Sequence, residues 1–284
     1  HYVKLTNSFV GVNSIGATAP AYITLGTPWV HACSNTDHQD GGTYGGEEFK
    51  FRPDAIKGNY KRTNVSGKSE NAHIIVYFWT GTFTSKIGKK SPGVISKDDV
   101  DRAIMSKSNA GTITGTGKLI ASADYSFATT TNDDWQEIVV PINWVDKTTV
   151  PAKMNVIISS ADYWNRENIV SVSSEKENGS ILEVDDVQFV YYHALSSISY
   201  NGTNISGFDE NTTTYDLSSY DYDENKFGYV LKGVGASAVR NYNKETGVLT
   251  VTVNGNNVSA DPTSKTVYTF QFKKAPTCTG KLTS

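Results

Sequence analysis

The stretch HIIVYFWTGTF, His73–Phe83, is β-branched or aromatic almost throughout and has no helical period. It reads as a strand. Successive strand residues point to opposite faces, so Ile74, Val76 and Phe78 form one row and Ile75, Tyr77 and Trp79 the other. One row must be core. The row with Tyr77 and Trp79 carries the polar tips of a ligand-facing surface, unless the strand is buried on both sides under a loop.

Similar runs recur along the chain: AYITLG, EFKFR, GKLIASADYSF, WQEIVVPINWV, KMNVIISSADYW and ILEVDDVQFVYY. Turn-forming clusters separate them, so the class is all-β, with sandwich or barrel as candidates. A single short helix is expected at SKDDVDRAIMSK, 96–107, with Ser96 as cap and Asp99 closing the capping box. After VYYHALSS the units shorten to SSISYNG, TTTYDLSS, GYVLKGVG, GVLTVTVNG and TVYTFQFKK. This spacing suits a small immunoglobulin-like sandwich. The expected organisation is a jelly-roll sandwich over 1–193, followed by an immunoglobulin-like domain and C-terminal tail over 194–284.

With 284 residues, two domains are a better expectation than one. A net charge of −3 without a basic cluster leaves nucleic acid and anionic membranes no electrostatic footprint. No apolar run reaches the length of a membrane span, and HYVKLTNSFV does not read as a signal peptide. Cys33 and Cys278 are either free thiols or one bridge that pins the tail. Six Asn-x-Ser/Thr sequons, at Asn64, Asn178, Asn201, Asn204, Asn211 and Asn257, are mostly what a chain rich in Asn, Ser and Thr supplies by chance.

Sixteen Tyr, 11 Phe and 5 Trp exceed what a minimal core needs and suit a surface that holds something flat and partly polar. In FKFRPDAIKGNYKR, alternation points Phe49 and Phe51 inward and Lys50 and Arg52 outward. Arg52 could offer fixed donors to vicinal hydroxyls or a uronate, or pair with a nearby acid; Tyr60 follows as a further polar contact. Trp29 lies at a strand end, as does Trp164, flanked by Tyr163 and Asn165, an aromatic beside an amide. Trp135 and Trp144 read as core or rim packing. The acidic, glycine-rich run at 37–48 is a solvated loop or, less simply, a calcium loop.

The pieces LGTPW (25–29), DGGTYGGEEFKFRPDAIKGNYK (40–61), DDVDRAIM (98–105), IISSAD (157–162) and NGSILEVDDVQFVY (178–191) resemble a family from gut Bacteroidetes described as a putative carbohydrate metabolism domain. The resemblance implies a jelly-roll paired with an immunoglobulin-like domain, looking like carbohydrate-binding modules. It also implies a secreted or surface-anchored protein, outer-membrane or periplasmic, working beside other glycan-utilisation proteins. The order of the two domains is reversed relative to that family, and the loop at 29–42 is longer.

These readings lead to an expected non-catalytic glycan site with Trp29, Arg52, Tyr60, Tyr77, Trp79, Tyr163, Trp164 and Asn165. The alternatives are a glycoside hydrolase or lyase, and a structural adhesion or assembly component. A hydrolase needs two carboxyls facing across a cleft, and no pair converges from sequence. The adjacent acids of the closing strand, Asp185 and Asp186, should point to opposite faces unless a bulge intervenes. Asp186 is then a candidate for structural calcium, or for pairing with loop amides or an arginine.

Overall fold

The computed structural model describes residues 1–12, 15–31, 33, 35–65, 68–128, 134–173 and 179–274. Cys278 and Asn178 fall outside these residues, and with them the bridge and one sequon. The chain is nearly all β and divides into two compact units, His1–Phe51 with Ala55–Val190, and Arg52–Asp54 with Tyr191 onward. The break at Val190 lies three residues before the expected boundary. Arg52–Asp54 joins the second unit because Asp54 accepts the N–H groups of Tyr192 (2.7 Å) and Val234 (2.6 Å).

The first unit is a sandwich of antiparallel sheets. One sheet runs in the order Val3–Thr6, Ile181–Val190, Ala55–Thr63, Gln136–Pro141. The other runs Asn143–Trp144, Lys118–Phe127, Ala72–Thr80, Lys153–Ser159, Tyr22–Thr24, with Glu47–Glu48 added beside Lys153–Ser159. Phe78 stacks on Trp144 at 5.4 Å and meets Phe49 and Phe189, so this row of the central strand forms the core between the sheets.

Strand Ala55–Thr63 alternates strictly, with Ile56, Gly58, Tyr60 and Arg62 buried and Lys57, Asn59 and Lys61 at the surface. Tyr60, expected as a ligand contact, is therefore a core residue, fully buried against Phe127. Arg62 shares that inner face. Burial pulls its pKa down to about 10, and the carboxylate of Glu70 lies 3.9 Å away. Asn7 (2.8 Å) and Ser180 (2.6 Å) also donate to Glu70, tying the adjoining ends of the paired strands Val3–Thr6 and Ile181–Val190 to one buried acid.

A β-bulge explains the paired acids. Asp185 lies opposite Asn59 and Gln188 opposite Lys57, so Asp186 and Val187 together face Gly58. Asp186 adopts φ 50°, which shifts the inward parity from Leu182 and Val184 to Phe189. Asp186 is exposed, its carboxylate accepting the amide of Asn59 at 3.4 Å. Among the described residues no group of three or more potential ligands gathers for a metal, so the calcium expectation at Asp186 finds no cage.

The expected helix is one turn, Asp101–Ile104, without a side-chain cap. Ser96 lies instead in strand Ile95–Asp98, paired with Phe83–Ile87. Asp99, at φ 55°, ends that hairpin by accepting the N–H of Phe83 (3.0 Å) and the ammonium of Lys153 (2.6 Å).

In the second unit, Leu195–Tyr200, Thr203–Asn204 and Phe227–Leu231 form one sheet. The other sheet has the order Thr214–Leu217, Lys265–Phe272, Val248–Asn254, Ser237–Asn243, and its first pairing is parallel. Leu195, Ile198, Phe227, Val251 and Phe270 share the core between them. The edge strand Ser237–Asn243 escaped the sequence reading because only every second residue is partly covered and those include Arg240 and Tyr242.

All five tryptophans lie in the first unit, so their fluorescence reports its unfolding alone. A left-handed backbone at a non-glycine residue costs roughly 1–2 kcal/mol. Asp186→Gly is expected to hold or raise the urea midpoint, and Asp186→Val to lower stability by about that amount. Equal effects of the two substitutions would contradict the bulge.

Candidate functional site

The second row of the central strand is not an open platform. Ile75, Tyr77 and Trp79 are fully buried, covered by Ile104 of the one-turn helix and by Tyr22, Phe83, Leu119, Tyr163 and Trp164. Tyr77 and Trp79 are therefore an inner aromatic layer, which corrects their assignment as ligand contacts. Arg52 belongs to the second unit, where its backbone N–H donates to Asn256 Oδ1 at 2.6 Å.

Buried polar groups fasten the cover to the sheet. Asn155 donates to Tyr77 Oη (2.8 Å) and accepts from Thr24, Leu25 and Gly26 at 2.9–3.0 Å. Asp101, with no exposed surface, accepts Tyr163 Oη (2.6 Å), Thr43 N (2.9 Å) and Arg102 N (2.6 Å). Burial raises the pKa of Asp101 against the opposing pull of these donors and of Arg102. Gly42 permits the approach, because a Cβ there would stand 2.8 Å from Asp101 Oδ2. Tyr22, donating to Gly42 O at 3.0 Å, is pushed up to about 12 by burial and by the charge of Asp101.

Outside this layer opens a cleft of about 700 Å³. Its walls are the hairpin Ser8–Val12 and Ile15–Ala19, the hairpin Thr27–His31 and Asp40–Tyr44, and the loop at 162–169. Of the expected site residues, Trp29, Tyr163, Trp164 and Asn165 all line it. Arg102, which the sequence reading did not single out, lies 5.6 Å from the Trp29 ring and grips Asp40 with both terminal nitrogens at 2.8 and 3.1 Å. Arg102 also donates to the carbonyl of Gly41. The indole nitrogen of Trp29 is buried and has no hydrogen-bond partner among the described residues.

Trp164 is held on three sides. Its Nε1–H donates to Asp124 Oδ2 (2.9 Å), Lys107 lies 4.6 Å from its ring centre, and Tyr163 packs edge-on at 4.9 Å. Asp162 accepts the N–H groups of Trp164 (3.0 Å) and Asn165 (3.1 Å) and the amide of Asn168 (2.6 Å). Burial works upward on Asp162, but these donors outweigh it and hold its pKa low. The cleft thus combines indole surface with amides; of its carboxylates, Asp40 and Asp162 are occupied by these donors, and Glu167 also lines it.

No family model, curated protein or solved structure matches this chain.

His73 supports the loop from below: its Nδ1 accepts Tyr163 N–H at 3.1 Å, which requires the neutral ring. Burial lowers its pKa below 6.5, against the upward pull of Asp124 and Asp162 and with that of Lys107. A histidine depressed in the folded state contributes stability that is complete above 6.5. That contribution falls away as acidification proceeds from 6.5 to the lower folded value. Tryptophan-detected stability is expected to fall across that window, and His73→Gln to flatten the fall; an unchanged pH profile would contradict this role. Separately, Tyr163→Phe leaves Asp101 one donor short and should lower stability by roughly 1–3 kcal/mol in urea unfolding.

Proposed function

We propose that the first unit binds a carbohydrate non-covalently in this cleft. The observation that carries the reading is the joining of Trp29, Tyr163 and Trp164 with the amides of Asn165 and Asn168 around one cavity of about 700 Å³. Indole faces accept the C–H side of a pyranose ring, and amides in fixed positions exchange hydrogen bonds with its hydroxyls. Trp164 enters this role already oriented by Asp124 and Lys107, so little ordering entropy is spent on binding.

The charged groups favour binding over hydrolysis. Asp40 is engaged by Arg102, Asp101 is sealed beneath the cover, and Asp162 is held by loop donors, which leaves Glu167 as a single unengaged carboxyl among the described lining residues. A hydrolase needs one carboxyl free to protonate a leaving group and another free to attack or activate water. The resemblance to a carbohydrate metabolism domain supports the same ligand class, together with a secreted or cell-surface setting in polysaccharide utilisation. In that setting the second unit serves as a spacer.

The test is a glycan array probed with the whole chain. Short oligosaccharides of at least one class should be retained, and Trp164→Ala should weaken that retention tenfold or more, about 1.4 kcal/mol. Absence of retention on every glycan, or undiminished retention by the variant, would overturn the site. Release of new reducing ends over time would replace binding with catalysis.

A further inference from the structure

The four-stranded sheet of the first unit turns its outer face to solvent, and its register arranges that face in rows. Lys4 stands opposite Glu183 and Glu183 opposite Lys61; Gln136 pairs with Tyr60, which puts Trp135 beside Lys61. In the neighbouring row Asn59 lies between Asp185 and Glu137. Tyr2 precedes the first strand and reaches across the sheet. Its ring centre lies 5.5 Å from that of Trp135 with the planes at 65°.

Both rings remain open to water, Tyr2 at 55% and Trp135 at 39% exposure. Two adjoining exposed aromatics, on a sheet face whose other outward side chains are mostly charged or polar with Val139 as an apolar exception, offer a contact surface. The surrounding charges exclude two kinds of occupant. Lys4, Lys57 and Lys61 face Glu137, Glu183, Asp185 and Asp186, with Lys57–Glu137 at 3.3 Å and Lys61–Glu183 at 3.8 Å. A polyanion would find no cation excess, and an apolar protein surface would have to desolvate these pairs.

A neutral polyhydroxylated chain meets neither obstacle. Its ring C–H faces can rest on Tyr2 and Trp135, and its hydroxyls can reach Asn59 and the lysine and carboxylate heads. The face is roughly 14 Å across its four strands, enough for several sugar units in a row. Rings inclined at 65° cannot lie together on a flat crystalline surface, but they can follow a chain that turns. We propose that this face binds a single dissolved chain of a neutral polysaccharide, with Tyr2 and Trp135 as its platform. This site is separate from the cleft and does not rest on the reading given there.

The test is affinity electrophoresis of the whole chain through gels containing soluble β-glucan, xylan, mannan or galactan. It is paired with N-bromosuccinimide oxidation, mapped by peptide mass. At least one polymer should retard the protein equally at low and high salt and shield Trp135 from oxidation. Trp135→Ala should lose retardation about tenfold, Trp135→Phe should keep most of it, and Trp164→Ala should leave the shielding of Trp135 intact. Retardation unaffected by Trp135→Ala, oxidation of Trp135 undiminished by polymer, or no retardation in any gel would overturn the proposal. The cleft reading, tested with short oligosaccharides and Trp164, can succeed or fail independently.

Discussion

Strand Ala72–Thr80 has no polar face, and the first unit is organised around that constraint. Its Ile74, Val76 and Phe78 row is satisfied by the facing sheet. Its Ile75, Tyr77 and Trp79 row would be left in water by a simple sandwich. Hiding each such side chain is worth about 1.5–3 kcal/mol, so leaving three exposed would consume much of a domain's net stability. The chain therefore lays a third layer over the sheet, built from the one-turn helix, Tyr22, Tyr163 and Trp164. The cleft exists because that layer has an outer surface of its own.

The same layer explains why acids lie so deep. A cover made of loops brings backbone N–H groups against an apolar floor, and each needs an acceptor. Asp101 and Asn155 provide them from beneath, and Asp162 does so at the rim. Breaking one such buried bond costs more than forming it gains, which makes the cover specific in shape. The aromatic groups that meet a ligand inherit that rigidity.

Much of the scaffold was legible in the sequence. The period-2 runs located most of the strands, and the shorter units after VYYHALSS fall within the second compact unit. The side of each run was harder to read. In HIIVYFWT both rows are apolar, so periodicity alone could not say which one was hidden; neither is exposed. Arg52 was placed by counting from Phe49, but Phe49–Asp54 is not a strand, and the count did not apply. The inward parity of Tyr60 was readable from Ile56, and Trp135 shares its parity with the outward Glu137 and Val139. Trp29, Tyr163, Trp164 and Asn165 do converge on one cleft. Arg102 and His73 were missed because their partners, Asp40 and the Tyr163 amide, are remote in sequence.

The covered aromatic face is the claim on which the account turns, and hydrogen exchange of the tryptophan indoles followed by NMR tests it without any ligand. Trp79 Nε1 is buried and has no hydrogen-bond partner among the described residues, so its proton can leave only when the cover opens. The account predicts that the Trp79 indole exchanges orders of magnitude more slowly than that of the exposed Trp135. Exchange of Trp79 at the rate of Trp135 would mean that the face is open and that the cleft above it does not exist as described.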